Sequence, residues 1–246
     1  MSRSLLDQGF CAVAVDHRLN KHALKCPCAK LDLADGHSWE TLNSFVDMQK
    51  LAFVHGAPPC GTASRAREIK VPEHLRLRGA PAPVPLRSDR YPQGFPHLAG
   101  INKEKVTKAN NIYEQMATSL GRCVDQGIGV SVENPKNSLM WKTPWFQELL
   151  AKPGMAKVSF QNCMHGGRRP KWSTWATNVS ELKVLGTACD GGHDHLPWGV
   201  AKAGRTWSFA TEKEAEYPEL LCSRVAEQIA DRERRRGHKI IKAPPF

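Results

Sequence analysis

Apolar positions recur along this chain in two alternating rhythms. Short runs of Val, Ala, Ile and Phe predict buried strands, and 3.6-residue stripes predict helices between them. FCAVAVDH, residues 10–17, predicts a buried parallel strand over 11–15 that ends before Asp16, behind a half-helix at 4–8 and a turn at Gly9. KCPCAKLDLADG predicts a weaker strand ending near Asp32 or Asp35, with Cys26 and Cys28 in a turn. SWETLNSFVDMQK predicts a helix capped by Ser38, and LAFVHGAPPC predicts the next strand. Val106, Ala109, Ile112, Tyr113, Met116, Leu120 and Cys123 form one stripe that closes at Gly127, a strong amphipathic helix. The run IGVSVENP then predicts a strand ending in polar residues. Further on, TPWFQELLAK predicts a short helix, AKVSFQNCMHG and WSTWATN predict strands, and the last third closes on a helical pair or one helix interrupted near Pro218.

Strand, helix and strand in alternation imply an α/β fold with a mostly parallel sheet flanked by helices, whose functional groups gather at the carboxyl ends of strands. Two segments break the rhythm. Residues 68–104 hold many of the 17 prolines and several arginines without strand or helix period, which predicts a long loop insertion, functional or partly mobile. Residues 179–205 predict a short loop region, and 236–246 a basic tail.

The length of 246 residues suits one domain with a substantial core. Thirty-five Lys and Arg against 24 Asp and Glu give a net charge of +11, which points to a polyanion such as nucleic acid as partner, or to a protein that is merely basic. Eight cysteines are too sparse for a disulfide scaffold and no apolar leader follows Met1, so a reducing, intracellular compartment is expected. No run of apolar residues is long enough for a membrane span. The basic stretch from Arg232 to Lys242 is either a solvated tail or a nuclear address.

Two polar groups stand where chemistry is expected. Cys60 follows two prolines at the end of an apolar run, and Glu133 ends the strand IGVSVENP. Downstream, HGGRRPKWSTWATN supplies Arg168, Arg169 and Lys171 ahead of another strand. In this order the motifs APPC, VENP and the arginine strand resemble the catalytic core of DNA (cytosine-5) methyltransferases, over roughly residues 1–235, and most closely compact members from mobile elements. The resemblance implies a Rossmann-like methyltransferase domain and S-adenosyl-L-methionine as methyl donor. It implies that Cys60 adds as thiolate to cytosine carbon 6, that Glu133 holds ring nitrogen 3, and that Arg168 and Arg169 belong to the catalytic set. For that role Cys60 needs its pKa lowered by cations, of which Arg65, Arg67, Arg168 and Arg169 are candidates. Arg65, Arg67 and Lys171 would contact nucleic-acid phosphates, on DNA, single-stranded DNA or RNA. Asp16, Asp32, Pro58 and Asn134 would face the cofactor. The family's glycine-rich loop after its first strand has no counterpart here, so that strand is expected to be missing and the member truncated at its N-terminus.

Bland alternatives stand beside these roles. Cys60 could be a small buried hydrophobe, Glu133 a cap, and the arginines surface charge. The rivals to a methyltransferase are a non-enzymatic nucleic-acid-binding remnant and a cysteine hydrolase using His55 or His165 as base. Separately, Cys163, Cys189, His193 and His195 offer two thiolates and two imidazoles, a donor set suited to structural zinc. No oligomeric state follows from the sequence.

Overall fold

The computed structural model describes residues 1–17, 25–204 and 206–240. Arg205 and the tail residues 241–246, the end of the basic stretch included, lie outside the described residues. The chain begins with α1 (Ser2–Asp7), β1 (Ala14–Asp16) and β2 (Cys28–Lys30), so Cys28 lies in a strand and only Cys26 precedes it in a bend. Next come α2 (Gly36–Asp47), β3 (Phe53–Gly56), the single-turn α3 (Glu73–Arg76) and the long α4 (Gly100–Asp125). β4 (Gly129–Pro135), α5 (Pro144–Ala151), β5 (Ala156–Gln161) and β6 (Trp172–Thr177) follow. The hairpin β7 (Val200–Ala203) and β8 (Thr206–Phe209), α6 (Ala210–Lys213) and α7 (Glu219–Arg235) complete the fold.

The architecture is α/β, but the sheets are mixed and the expected mostly parallel sheet is corrected. The main sheet has the order β3-β4-β6-β5; β3 and β4 pair in parallel, whereas β6 runs antiparallel to both β4 and β5. β1 and β2 form a separate parallel pair and β7 and β8 an antiparallel one. Since β6 is the reversed strand, the carboxyl ends of β3, β4 and β5 and the amino end of β6 share one edge.

Side-chain alternation divides the core in two. Val130 and Val132 of β4 and Ala176 of β6 face a cluster with Tyr113, Met116 and Leu120 of α4 and Phe146 of α5. Trp175 of β6 and Val158 and Phe160 of β5 face the opposite cluster with Leu221, Val225 and Ile229 of α7. Each fully buried large side chain contributes about 1.5–3 kcal/mol. The same alternation puts Ser131 and Glu133 on the α7 side and Asn134 on the α4 side.

Other boundaries differ locally. Asp35, not Ser38, caps α2 by accepting from the His37 amide, and Ser38 is buried inside the helix. Residues 68–104 are mostly exposed but anchored at Leu86 and Arg87, each 1% exposed, and the segment contains α3 and the first turn of α4. The interval 179–205 holds a 3₁₀ stretch at Ser180–Leu185 and β7 rather than loop alone. β5 stops at Gln161, and a 3₁₀ turn at Asn162–His165 follows. Gly166, at φ 87°, adopts the left-handed conformation that ends this turn, and a Cβ on Gly167 would lie 2.8 Å from the Asn162 carbonyl oxygen. Gly167→Ala is therefore expected to destabilise the protein by about 1–3 kcal/mol in a urea melt. An unchanged midpoint would show that the turn yields freely.

Candidate active site

Cys60 lies four residues beyond β3, on a loop fastened by β4 and α4. Asn134 Nδ2 donates to the Pro58 carbonyl at 3.1 Å, and the Tyr113 hydroxyl donates to the Pro59 carbonyl at 2.6 Å. Amides of Ala63 and Ser64 donate to the Cys60 carbonyl, coiling the chain into a turn directly after the thiol. Arg67 donates to the carbonyls of Gly61 and Val84, and the buried Arg87 guanidinium donates to Thr62 Oγ1, Asn110 Oδ1 and the Pro92 carbonyl. Thus Pro58 and Asn134 secure the loop, and Arg67 is occupied in holding it. Arg65 is paired with Glu68 and Asp89.

Glu133 projects from the end of β4 beside this loop and is 7% exposed. Its Oε1 has no hydrogen-bond partner among the described residues, and Lys171 Nζ is 3.9 Å away. Asn134 Oδ1 is also buried without a hydrogen-bond partner among the described residues, while Ser173, on the same face of the neighbouring β6, and Tyr217 both act on the Glu133 carboxyl. Burial raises the Glu133 carboxyl above its ordinary value, with the Lys171 charge opposing it. Cys60 is half-buried, and burial likewise raises its thiol above the usual range; Lys171 pulls it down and Glu133 pushes it up. The expected net lowering of Cys60 is thus reversed: desolvation exceeds the pull of the one cation that acts on it among the described residues.

That cation is Lys171, expected at phosphates, and not an arginine. Lys171 Nζ donates to the Glu214 carbonyl at 3.0 Å. Arg169 is ion-paired with Glu214 at 2.8 Å and donates to the Pro197 carbonyl, while the Arg168 side chain is exposed. Lys171→Gln is expected to move the pH profile of Cys60 alkylation by iodoacetamide about half a unit or more to the alkaline side, and Glu133→Gln to move it to the acid side. Shifts of the same sign in both variants would show that these charges do not set the thiol.

Tyr217 escaped the sequence reading, and it pairs with His55, the residue weighed as a hydrolase base. His55 Nδ1 is 2.7 Å from Ser131 Oγ and its Nε2 3.0 Å from the Tyr217 hydroxyl; burial brings its pKa down to about 3. His165 is held by the Leu185 carbonyl and Arg224. Among the described residues no hydrogen bond joins Cys60 to either histidine, so the hydrolase reading lacks its nucleophile and base pair.

Asp16 and Asp32 sit at the edge of the small β1–β2 sheet. Asp32 Oδ2 is 3.6 Å from Nε2 of His17, the residue after Asp16, so both acids share one end of that strand pair. The Cys163, Cys189, His193 and His195 quartet comes together at the end of β5, its donor atoms all within 4.8 Å of one another, and could hold a metal ion. A cleft of about 630 Å³ opens among Arg65, Lys136, Lys142 and Lys157. All eight cysteines are free, and no helix among the described residues is long and apolar enough to cross a membrane. Comparison with protein-family models, with curated proteins and with solved structures finds no match to this chain.

Proposed function

We propose that the chain is an S-adenosyl-L-methionine-dependent methyltransferase domain of Rossmann-like type, acting on carbon 5 of cytosine in DNA through Cys60. One observation carries this reading: beside the Cys60 loop the Glu133 carboxyl is buried, its Oε1 has no hydrogen-bond partner among the described residues, and Lys171 Nζ stands 3.9 Å away. Buried polar atoms left open at a site favour a ligand that brings donors and acceptors of its own. A pyrimidine edge does so.

The chemistry follows from the residues. The Cys60 thiolate adds to cytosine carbon 6, placing an electron pair on the ring, and Glu133, whose carboxyl burial raises above its ordinary value, supplies or shares the proton at nitrogen 3. Carbon 5 becomes nucleophilic; after alkylation its hydrogen passes as a proton to water while the carbon–sulfur bond breaks, restoring the thiolate, and the nitrogen 3 proton returns to Glu133. When bound, S-adenosyl-L-methionine supplies the methyl group. Asp16 and Asp32 at the end of the β1–β2 pair suit hydroxyl and amine donors of that cofactor, and Asn134 Oδ1 is an open acceptor facing the α4 side. A base in a duplex must leave the stack to reach Cys60. The cleft beside Lys136, Lys142 and Lys157 gives the phosphate backbone a cationic track, and zinc at the Cys/His quartet is the second cofactor of this reading.

Calorimetric titration of S-adenosyl-L-methionine, followed by transfer of labelled methyl groups to cytosine-containing DNA, tests the proposal. Binding and transfer are expected. DNA binding that weakens steeply with salt, without cofactor binding or transfer, would overturn it and leave the non-enzymatic nucleic-acid-binding reading.

A further inference from the structure

The Cys/His quartet has a geometry that hydrogen bonding alone does not explain. Cys189 Sγ lies 3.5 Å from His195 Nε2 and 3.8 Å from His193 Nε2, and the two Nε2 atoms are 3.1 Å apart. Three lone-pair donors thus approach one another in a triangle, with Cys163 Sγ as the fourth donor within 4.8 Å. A tetrahedral ion with Zn–S of about 2.3 Å and Zn–N of about 2.0–2.1 Å sets ligand separations of about 3.3 Å for N···N and about 3.6 Å for S···N. The observed triangle falls on these values to within a few tenths of an ångström. Outer contacts agree with such a centre: the Gly191 amide donates to Cys189 Sγ at 3.4 Å, and the Cys189 amide donates to Gln161 Oε1 at 2.7 Å.

The quartet joins parts of the chain that share no strand ladder. Cys163 follows β5, whereas the other three ligands lie on the segment 189–195. The next residues of that segment reach toward the pocket: the Leu196 amide donates to the Arg168 carbonyl at 2.9 Å, and the Pro197 carbonyl accepts from Arg169 at 3.1 Å. Arg169 holds the Glu214 carboxylate, and the Glu214 carbonyl holds Lys171, the cation that acts on Cys60 and Glu133.

We propose that Cys163, Cys189, His193 and His195 bind one zinc ion, which clamps the segment 189–198 and through Arg169 and Glu214 positions Lys171 beside Cys60. The positioning half rests on Cys60 as the reactive centre; the metal site itself stands independently of methyl transfer. In this scheme Arg169 and Lys171 are positioning residues, and the ion is structural, with four protein ligands and no open coordination place.

The experiment uses the full chain. Metal analysis is expected to find one zinc per chain, and cobalt(II) added to the chelator-stripped protein is expected to give the intense visible bands of a tetrahedral thiolate site. His193→Asn, at an exposed position, and Cys189→Ser should each lose those bands; bands retained in both, or no metal bound, overturn the site. Alkylation of Cys60, quantified on its peptide by mass spectrometry, should slow about threefold at about pH 8 when zinc is stripped, an alkaline shift of about half a unit. In Lys171→Gln the metal should no longer alter that rate. Zinc bound with no change in the Cys60 pH profile would overturn the positioning role while leaving the ion. None of these measurements needs methyl transfer, so failure of the methyltransferase reading would be seen separately.

Discussion

Under the proposed mechanism, replacing Cys60 with serine is expected to reduce methyl transfer to DNA by at least about 10³-fold, because removal of a covalent nucleophile takes away a bond and not merely a contact. Serine keeps the size of the side chain and the turn whose amides donate to the carbonyl of residue 60, so the fold should survive, as a melt would confirm. Its hydroxyl is far less acidic than a thiol, and the burial that already raises Cys60 would hold an alkoxide rarer still. DNA affinity should change little, since the cations along the cleft are untouched. Turnover equal to wild type would remove Cys60 from the chemistry. Loss of both turnover and DNA binding would point instead to a structural role for the loop.

The elements were more legible than their arrangement. The α4 stripe from Val106 to Cys123 is buried at six of its seven predicted positions, with Ile112 partly so, because a 26-residue helix repeats its signal over seven turns. The breaks at Pro218 and after Gly127 also follow the sequence, since missing donors and left-handed glycines act locally. Strand direction leaves no such trace. β6 has the same apolar character as β4, yet runs opposite to it, and only pairing partners far along the chain decide that. The pocket shows the same division. Cys60 and Glu133 stand out because each ends an apolar run, but Lys171 and Tyr217 reach them from far along the chain, where no spacing rule points. Desolvation of Cys60 was equally hidden, because it depends on what covers the loop.

The buried Arg87 is the plainest case of a residue the pattern concealed, and Arg87→Ala is expected to destabilise the protein by about 3 kcal/mol. The side chain is 1% exposed within a stretch of prolines and arginines that looks solvated in sequence. Its guanidinium has no carboxylate partner among its hydrogen bonds; it donates instead to Thr62 Oγ1, Asn110 Oδ1 and the Pro92 carbonyl, and stands 5.3 Å from the centre of the Tyr113 ring. Burial lowers its pKa, so the charge is costly to hold there, and removing it relieves that cost. Three acceptors would then lose their donor and the space would be left unfilled, penalties of about 1–3 kcal/mol for each buried group, which outweigh the relief. For a chain of this length the loss corresponds to a melting temperature lower by about 6–12 °C. Arg87 grips Thr62, two residues beyond Cys60, and α4 through Asn110, so freeing it should also open the loop and speed Cys60 alkylation. Arg87→Lys keeps the charge but cannot fork to three acceptors, and should recover only part of both effects. A melting temperature that falls while Cys60 reactivity stays at the wild-type value would show that Asn134 and Tyr113 hold the Cys60 loop in place without Arg87.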